Sequence, residues 1–226
     1  MTAPRLSPVP RRPPARARTR RALLAAAALL TAPLVFTGCA GSAARPASTG
    51  PDAAATPPTL ATGPGPQPRY TVHRAPPPGS CRYRRLEGRF LPDPACTPGA
   101  VNPEVTPSTL RRTICAGGYS ARVRPPREVT DREKRLSARA YGYTGSFATA
   151  KLDHLVPLGI GGDPNDPRNL WLKPNEDPRA TTNANPKDDV EDALHDAVCD
   201  GKVGLADAQR AIAADWGTAL QVLGLE

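Results

Sequence analysis

The chain has 226 residues, 29 of them proline, and a formal net charge of +9. That length allows one domain or two small ones. Seven arginines and no acid precede Cys39, so a chain cut there carries +9 − 7 = +2, and overall basicity is excluded as a sign of nucleic-acid binding.

Behind the Arg-rich start, residues 22–37 (ALLAAAALLTAPLVFT) form an apolar run too short and too Ala-rich for a membrane span, closing at Gly38-Cys39-Ala40. Residues 1–38 are therefore expected to be an export signal. Phe36-Thr37-Gly38-Cys39 resembles the lipobox of bacterial lipoproteins, with Phe36 where Leu is usual. Thr19-Arg20-Arg21-Ala22-Leu23-Leu24 looks like a twin-arginine signal. The resemblance implies a lipid on Cys39 and a location outside the cytoplasm, membrane-anchored or secreted. Residues 39–80 are rich in Pro, Ala, Gly, Ser and Thr with few large apolar side chains, and are predicted to be a disordered tether. The folded domain is then 81–226.

Thr106-Pro107 reads as a helix start, with Leu110 and Ile114 on one face and Gly117-Gly118 as the stop. Thr130 and Glu133 form a capping-box pattern opening a helix through about Ala140. Residues 152–158 and 169–173 are predicted strands joined by the turn-rich GIGGDPNDPR. Residues 187–199 and 205–223 carry apolar side chains at helical spacing, and Trp171 and Trp216 are expected in the core.

After Cys39 there are Cys81, Cys96, Cys115 and Cys199, with no C-x-x-C pair, which points to disulfides and an oxidising compartment and away from a zinc site. Three pairings are possible. Cys81–Cys96 with Cys115–Cys199 is favoured, the second tying the basic half to the C-terminal helices. Charge divides the domain: residues 81–151 hold fourteen Lys/Arg against six Asp/Glu, and residues 153–226 hold six against fourteen. This suits a phosphate-binding flank beside a carboxylate-rich region, and equally suits docking of the two halves.

The stretch LDHLVPLGIGG, then NLW, then NANPKDDVEDALHDAVCDGK and AQRAIAADW, with CTPGAVNPEVTPSTLRRTIC, VRPP and YGYT before them, is similar to exported bacterial proteins with an HNH-like core. The resemblance covers nearly the whole folded portion. It implies an α+β domain with a ββα-metal hairpin-helix core, flanking helices and disulfide bracing. It further implies a metal-dependent endonuclease acting on DNA or RNA, without a small-molecule cofactor.

In that reading His154 accepts a proton from water, having an ordinary pKa near working pH. Asp153 and Asn183 hold the metal, with Asn185 and Asp188 as substitutes, and Asn169 braces the loop. Lys187 and Arg124 meet phosphate, with Arg122 and Arg127 beside the latter. Oxygen ligands favour magnesium or manganese over zinc. The chain departs from the family pattern where a helix-start histidine is usual, since Asn183 stands there. Asp188, Glu191 and His195 share a helical face and are a secondary set. The competing expectation is a non-catalytic envelope lipoprotein that keeps such a fold as a binding module.

Overall fold

A computed structural model of the protein describes residues 60–177, 179–183 and 185–226. The expected signal, Cys39 and the tether as far as residue 59 lie outside the described residues. The domain is a mixed α+β structure in which the described strands form three two-stranded pairs.

The order is β1 (Ala61–Thr62), β2 (Arg84–Leu86), β3 (Arg89–Leu91), β4 (Ala100–Val101), α1 (Tyr119–Val123), α2 (Arg127–Ala140), β5 (Ala150–His154), β6 (Leu170–Pro174), α3 (Pro186–Cys199), α4 (Leu205–Ala214) and α5 (Ala219–Val222). β1 lies parallel to β4, whereas β2–β3 and β5–β6 are antiparallel hairpins. Register in the last pair sets Asp153 opposite Trp171 and His154 opposite Leu170.

The β5–β6 hairpin is the centre of the fold. Each strand of a two-stranded sheet is an edge, and a buried edge needs other partners for its polar backbone groups. Leu172 provides the example: its N–H donates to Ser137 Oγ on α2 at 2.7 Å, and its carbonyl accepts from Tyr83 Oη at 2.9 Å. Trp171 and Trp216 are both fully buried; Trp216 Nε1 donates to Phe90 O at 2.8 Å. Leu155, Val156, Ile160, Leu194 and Ile212 complete the main core, so α3 and α4 close over the hairpin's exit loop.

Two disulfides join Cys81 to Cys96 and Cys115 to Cys199. The second links the segment before α1 to the last residue of α3. Among the described residues no helix is long and apolar enough to cross a membrane.

Several expectations are corrected. The tether does not extend to residue 80: from Leu60 the chain is a strap laid on the domain. Gly63 N–H donates to Val101 O at 2.9 Å, Gly65 N–H to Asp163 Oδ2 at 2.7 Å, and Tyr70 Oη to Val123 O at 2.6 Å. Composition misled because the strap is held through its backbone more than by apolar side chains. No α-helix forms at 107–116, where one 3-10 turn, Leu110–Arg112, follows Thr109, whose Oγ1 donates to Glu104 O at 2.7 Å. Helix α1 instead begins after Gly118. Helix α2 starts at Arg127, with Glu133 fully buried and accepting from His73 N–H at 3.3 Å instead of capping Thr130. The 205–223 helix breaks at Asp215 into α4 and α5.

Candidate active site

β5 ends at His154 because the next residues leave the ladder through Pro157. Leu155 N–H still bonds Asn169 O at 2.8 Å, and then the Asn169 side chain takes over as the partner. Its Oδ1 accepts from Val156 N–H at 2.9 Å, and its Nδ2 donates to Val156 O and Asp163 O, both at 3.0 Å. Gly162 completes this packing, since a Cβ there would lie 1.8 Å from Val156 O. Only glycine allows so close a backbone approach.

Asp163 carries the turn onward. Its Oδ1 accepts from Asn165 N–H at 2.9 Å and Asp166 N–H at 2.8 Å, while Oδ2 holds the strap at Gly65. The Pro164 carbonyl, fixed between these bonds, faces His154 Nε2 at 3.0 Å. A carbonyl only accepts, so Nε2 carries the proton and Nδ1 is the basic nitrogen. Burial, reinforced by the Arg124 charge and opposed by the Pro164 bond, pushes the His154 pKa down to about 4. The imidazole is neutral at ordinary pH.

His154 borders a polar cleft of about 360 Å³. Arg124 and Ser120 line one wall, Glu191, Asp192 and His195 on α3 line the other, and Lys151 and Asp153 lie between them. A second cleft shares Arg124, Lys151 and His154 and reaches Asn183. His154, Arg124 and Lys151 are thus common to both. Lys151 was missed in the sequence reading, although it shares a strand face with Asp153 two residues on.

Asp153 is fully buried and turned toward α3. Lys187 Nζ lies 2.8 Å from Asp153 Oδ1, 2.6 Å from Glu191 Oε1 and 2.9 Å from His154 O. Lys151 Nζ stands 3.3 Å from Asp153 Oδ2 and also pairs with Asp188. Burial opposes the charge of Lys187, yet Asp153 and Glu191 prevail and raise its pKa above the ordinary lysine value. Burial likewise opposes ionisation of Asp153, but Lys187 and Lys151 hold its pKa below the usual carboxylate range.

The remaining sequence-predicted residues fall into place around this cluster. Lys187 is corrected as a phosphate contact: its side chain is wholly buried and its ammonium is engaged by carboxylates. Asn183 is exposed and makes no polar contact with Asp153. Asn185 is the N-cap of α3, its Oδ1 accepting from Lys187 N–H at 3.1 Å, and Asp188 reciprocates in a capping box. Among the described residues no group of three or more His, Cys, Asp or Glu is placed to hold a metal ion. Asp153 faces two ammonium groups, its Oδ2 buried without a hydrogen bond, while Asn185 and Asp188 are engaged in the capping box and Asp188 also pairs with Lys151.

His195 faces the cleft but is tied down, its Nε2–H donating to Ile114 O at 3.1 Å. Arg122 donates to Gly117 O at 2.8 Å, while Arg127 pairs with Asp131 at 3.5 Å.

No family model, curated protein or solved structure matches the chain.

Proposed function

We propose that the domain hydrolyses phosphodiester bonds of nucleic acid, DNA before RNA, with His154 as the general base. The observation that carries this reading is the one-sided pinning of His154. Its Nε2–H is fixed on Pro164 O, and its Nδ1 stands unprotonated beside a polar cleft with Arg124 and Lys151. Hydrolysis needs a group to take the proton of the attacking water and positive charge for the phosphate oxygens. His154 Nδ1 serves the first need. Arg124 serves the second, with Lys151 beside it at the cleft but already paired with Asp153 and Asp188.

In the reaction, water oxygen bonds to phosphorus, its proton passes to Nδ1, and the bond to the sugar oxygen breaks with its electron pair on that oxygen, which takes a proton from solvent water to leave as a hydroxyl. The HNH-like resemblance, the β-hairpin followed by α3 and the Asn169 brace agree with this assignment. The two disulfides agree with export to an oxidising, extracytoplasmic place; a lipid on Cys39 belongs to the same proposal.

The purified full chain incubated with plasmid DNA, single-stranded DNA and RNA tests it. Cutting that falls by about 100-fold or more in His154→Ala is expected for loss of a general base. Cutting unchanged in that variant, or no cutting of any of the three substrates, overturns the hydrolase reading and favours the non-catalytic binding module.

A further inference from the structure

The Lys187 ammonium sits inside an oxygen cage of the kind that holds a hard cation. An ammonium has three N–H donors, and the three oxygens around it, Asp153 Oδ1, Glu191 Oε1 and the His154 carbonyl, use all of them at 2.6–2.9 Å. Two carboxylates and a backbone carbonyl are also a donor set for magnesium, manganese or calcium, whose bonds to oxygen run about 2.0 to 2.6 Å. Nζ occupies the centre of that cage, so an ion and the ammonium exclude each other. The second carboxylate oxygen, Asp153 Oδ2, faces another ammonium, Lys151, at 3.3 Å. Every ligand that a ββα-metal site would draw from β5 therefore already faces a cation belonging to the chain.

We infer that Lys187 is the resident cation of this site, a tethered ammonium in the place of a divalent metal ion, and that the protein works without one. Its side chain enters from the first turn of α3, where Pro186 at the helix start and the Asn185–Asp188 capping box fix its origin. The carboxylates then hold its far end. Being wholly buried, Lys187 touches no substrate; it is a positioning residue. It bonds the carbonyl of His154 and the side chain of Asp153, and thereby fixes the end of the strand that carries the base. The placement of the ammonium rests on geometry alone, and only its catalytic meaning rests on the hydrolase reading.

Manganese titration of the purified full chain, followed by the loss of the free-ion electron paramagnetic resonance signal, tests the placement without reference to activity. The expected result is no stoichiometric uptake by the wild type at about 1 mM manganese, a concentration at which a site with a micromolar dissociation constant would be filled. Lys187→Ala vacates the cage and is expected to tighten manganese binding by about 10-fold or more. Addition of Asp153→Asn to that variant should reverse the gain.

One equivalent bound by the wild type and lost in Asp153→Asn overturns the inference; binding that survives Asp153→Asn lies elsewhere and leaves it standing. Where Lys187→Ala fails to fold by circular dichroism, the wild type and Asp153→Asn decide alone. Cleavage is a separate arm. Undiminished cutting in excess EDTA is the expected result. Cutting that requires metal bound at Asp153 overturns the tethered cation and leaves the hydrolase reading intact. No cutting at all overturns the hydrolase reading while the titration still decides the cage.

Discussion

Asn169 grips Val156 from both sides, accepting its N–H at 2.9 Å and donating to its carbonyl at 3.0 Å. A side-chain amide thus acts as one more residue of the β5–β6 ladder, beyond the point where the backbones part. Asn169→Ala leaves the Val156 amide and two carbonyls unpartnered in the interior. Asn169→Asp keeps the acceptor but sets a carboxylate oxygen against those carbonyls. Each unpartnered buried group costs about 1–3 kcal/mol, so either variant should lose roughly 3 kcal/mol in urea unfolding. Nucleic-acid cutting should fall with it, because the same turn aims Pro164 at His154.

The pH dependence of stability has two opposed parts. His154 is pushed down to about 4 in the folded protein, below its unfolded value near 6.5. Its contribution is fully present above about pH 6.5 and is lost as pH falls toward 4. Glu133, buried against the strap residue His73, is pushed up to about 7. Its contribution is full below its unfolded value near 4.5 and is lost as pH rises through 7. The two slopes oppose each other between about pH 4.5 and 6.5. Glu133→Gln should remove one, so that stability relative to wild type rises by on the order of 3 kcal/mol from pH 4.5 to 7. Denaturant midpoints across that range measure it, and a pH-independent difference would contradict the assignment.

For the reaction itself, the acidic limb of kcat/KM should follow the base in the free protein. Activity is expected to rise through about pH 4 and to stay level toward neutrality, with no step at the ordinary histidine pKa. A pH–rate series down to pH 3.5 or so reads it directly.

A chain begun at Cys81 discards the strap. It loses the bonds from Gly63 to Val101, Gly65 to Asp163, Tyr70 to Val123 and Asn165 Nδ2 to Thr71 O. At about 1 kcal/mol net for each, it should be roughly 3–4 kcal/mol less stable than a chain begun at Asp52. Asp163→Ala in the full chain should move the same way, since three backbone N–H groups lose their acceptor.

The two disulfides should differ in worth. Cys115–Cys199 closes a separation of 84 residues and Cys81–Cys96 one of 15. By the chain-entropy argument, replacing both partners by serine should cost about 4–5 kcal/mol for the first and about 3 for the second. Thermal or denaturant unfolding of the two double variants gives the order.

The hairpin, the place of the C-terminal helices though not the break at Asp215, and the buried tryptophans were legible in the sequence, because they rest on apolar periodicity and turn chemistry; the cysteine count pointed to disulfides but left three pairings open, of which the favoured one is formed. The strap was not, since a Pro-rich segment docked through its backbone leaves no apolar pattern to read. Nor was the start of α2, where Glu133 carries a capping signature yet serves as a buried partner for a residue sixty positions earlier. At the site, His154 and Asp153 stood out by residue type and setting. The role of Lys187 did not: a lysine at a helix start reads as a surface cation, and only the packing of α3 on β5 turns it inward.

The Cys115–Cys199 bond and the His195–Ile114 hydrogen bond fasten the segment leading into α1 to the end of α3. These are the two jaws of the cleft that holds His154. The two walls are therefore joined by a covalent bond as well as by packing. For the proposed hydrolysis, a mouth so fastened would admit a strand that already fits and would turn away a thicker one. Reduction of that single bond should widen what is accepted before it abolishes what is done.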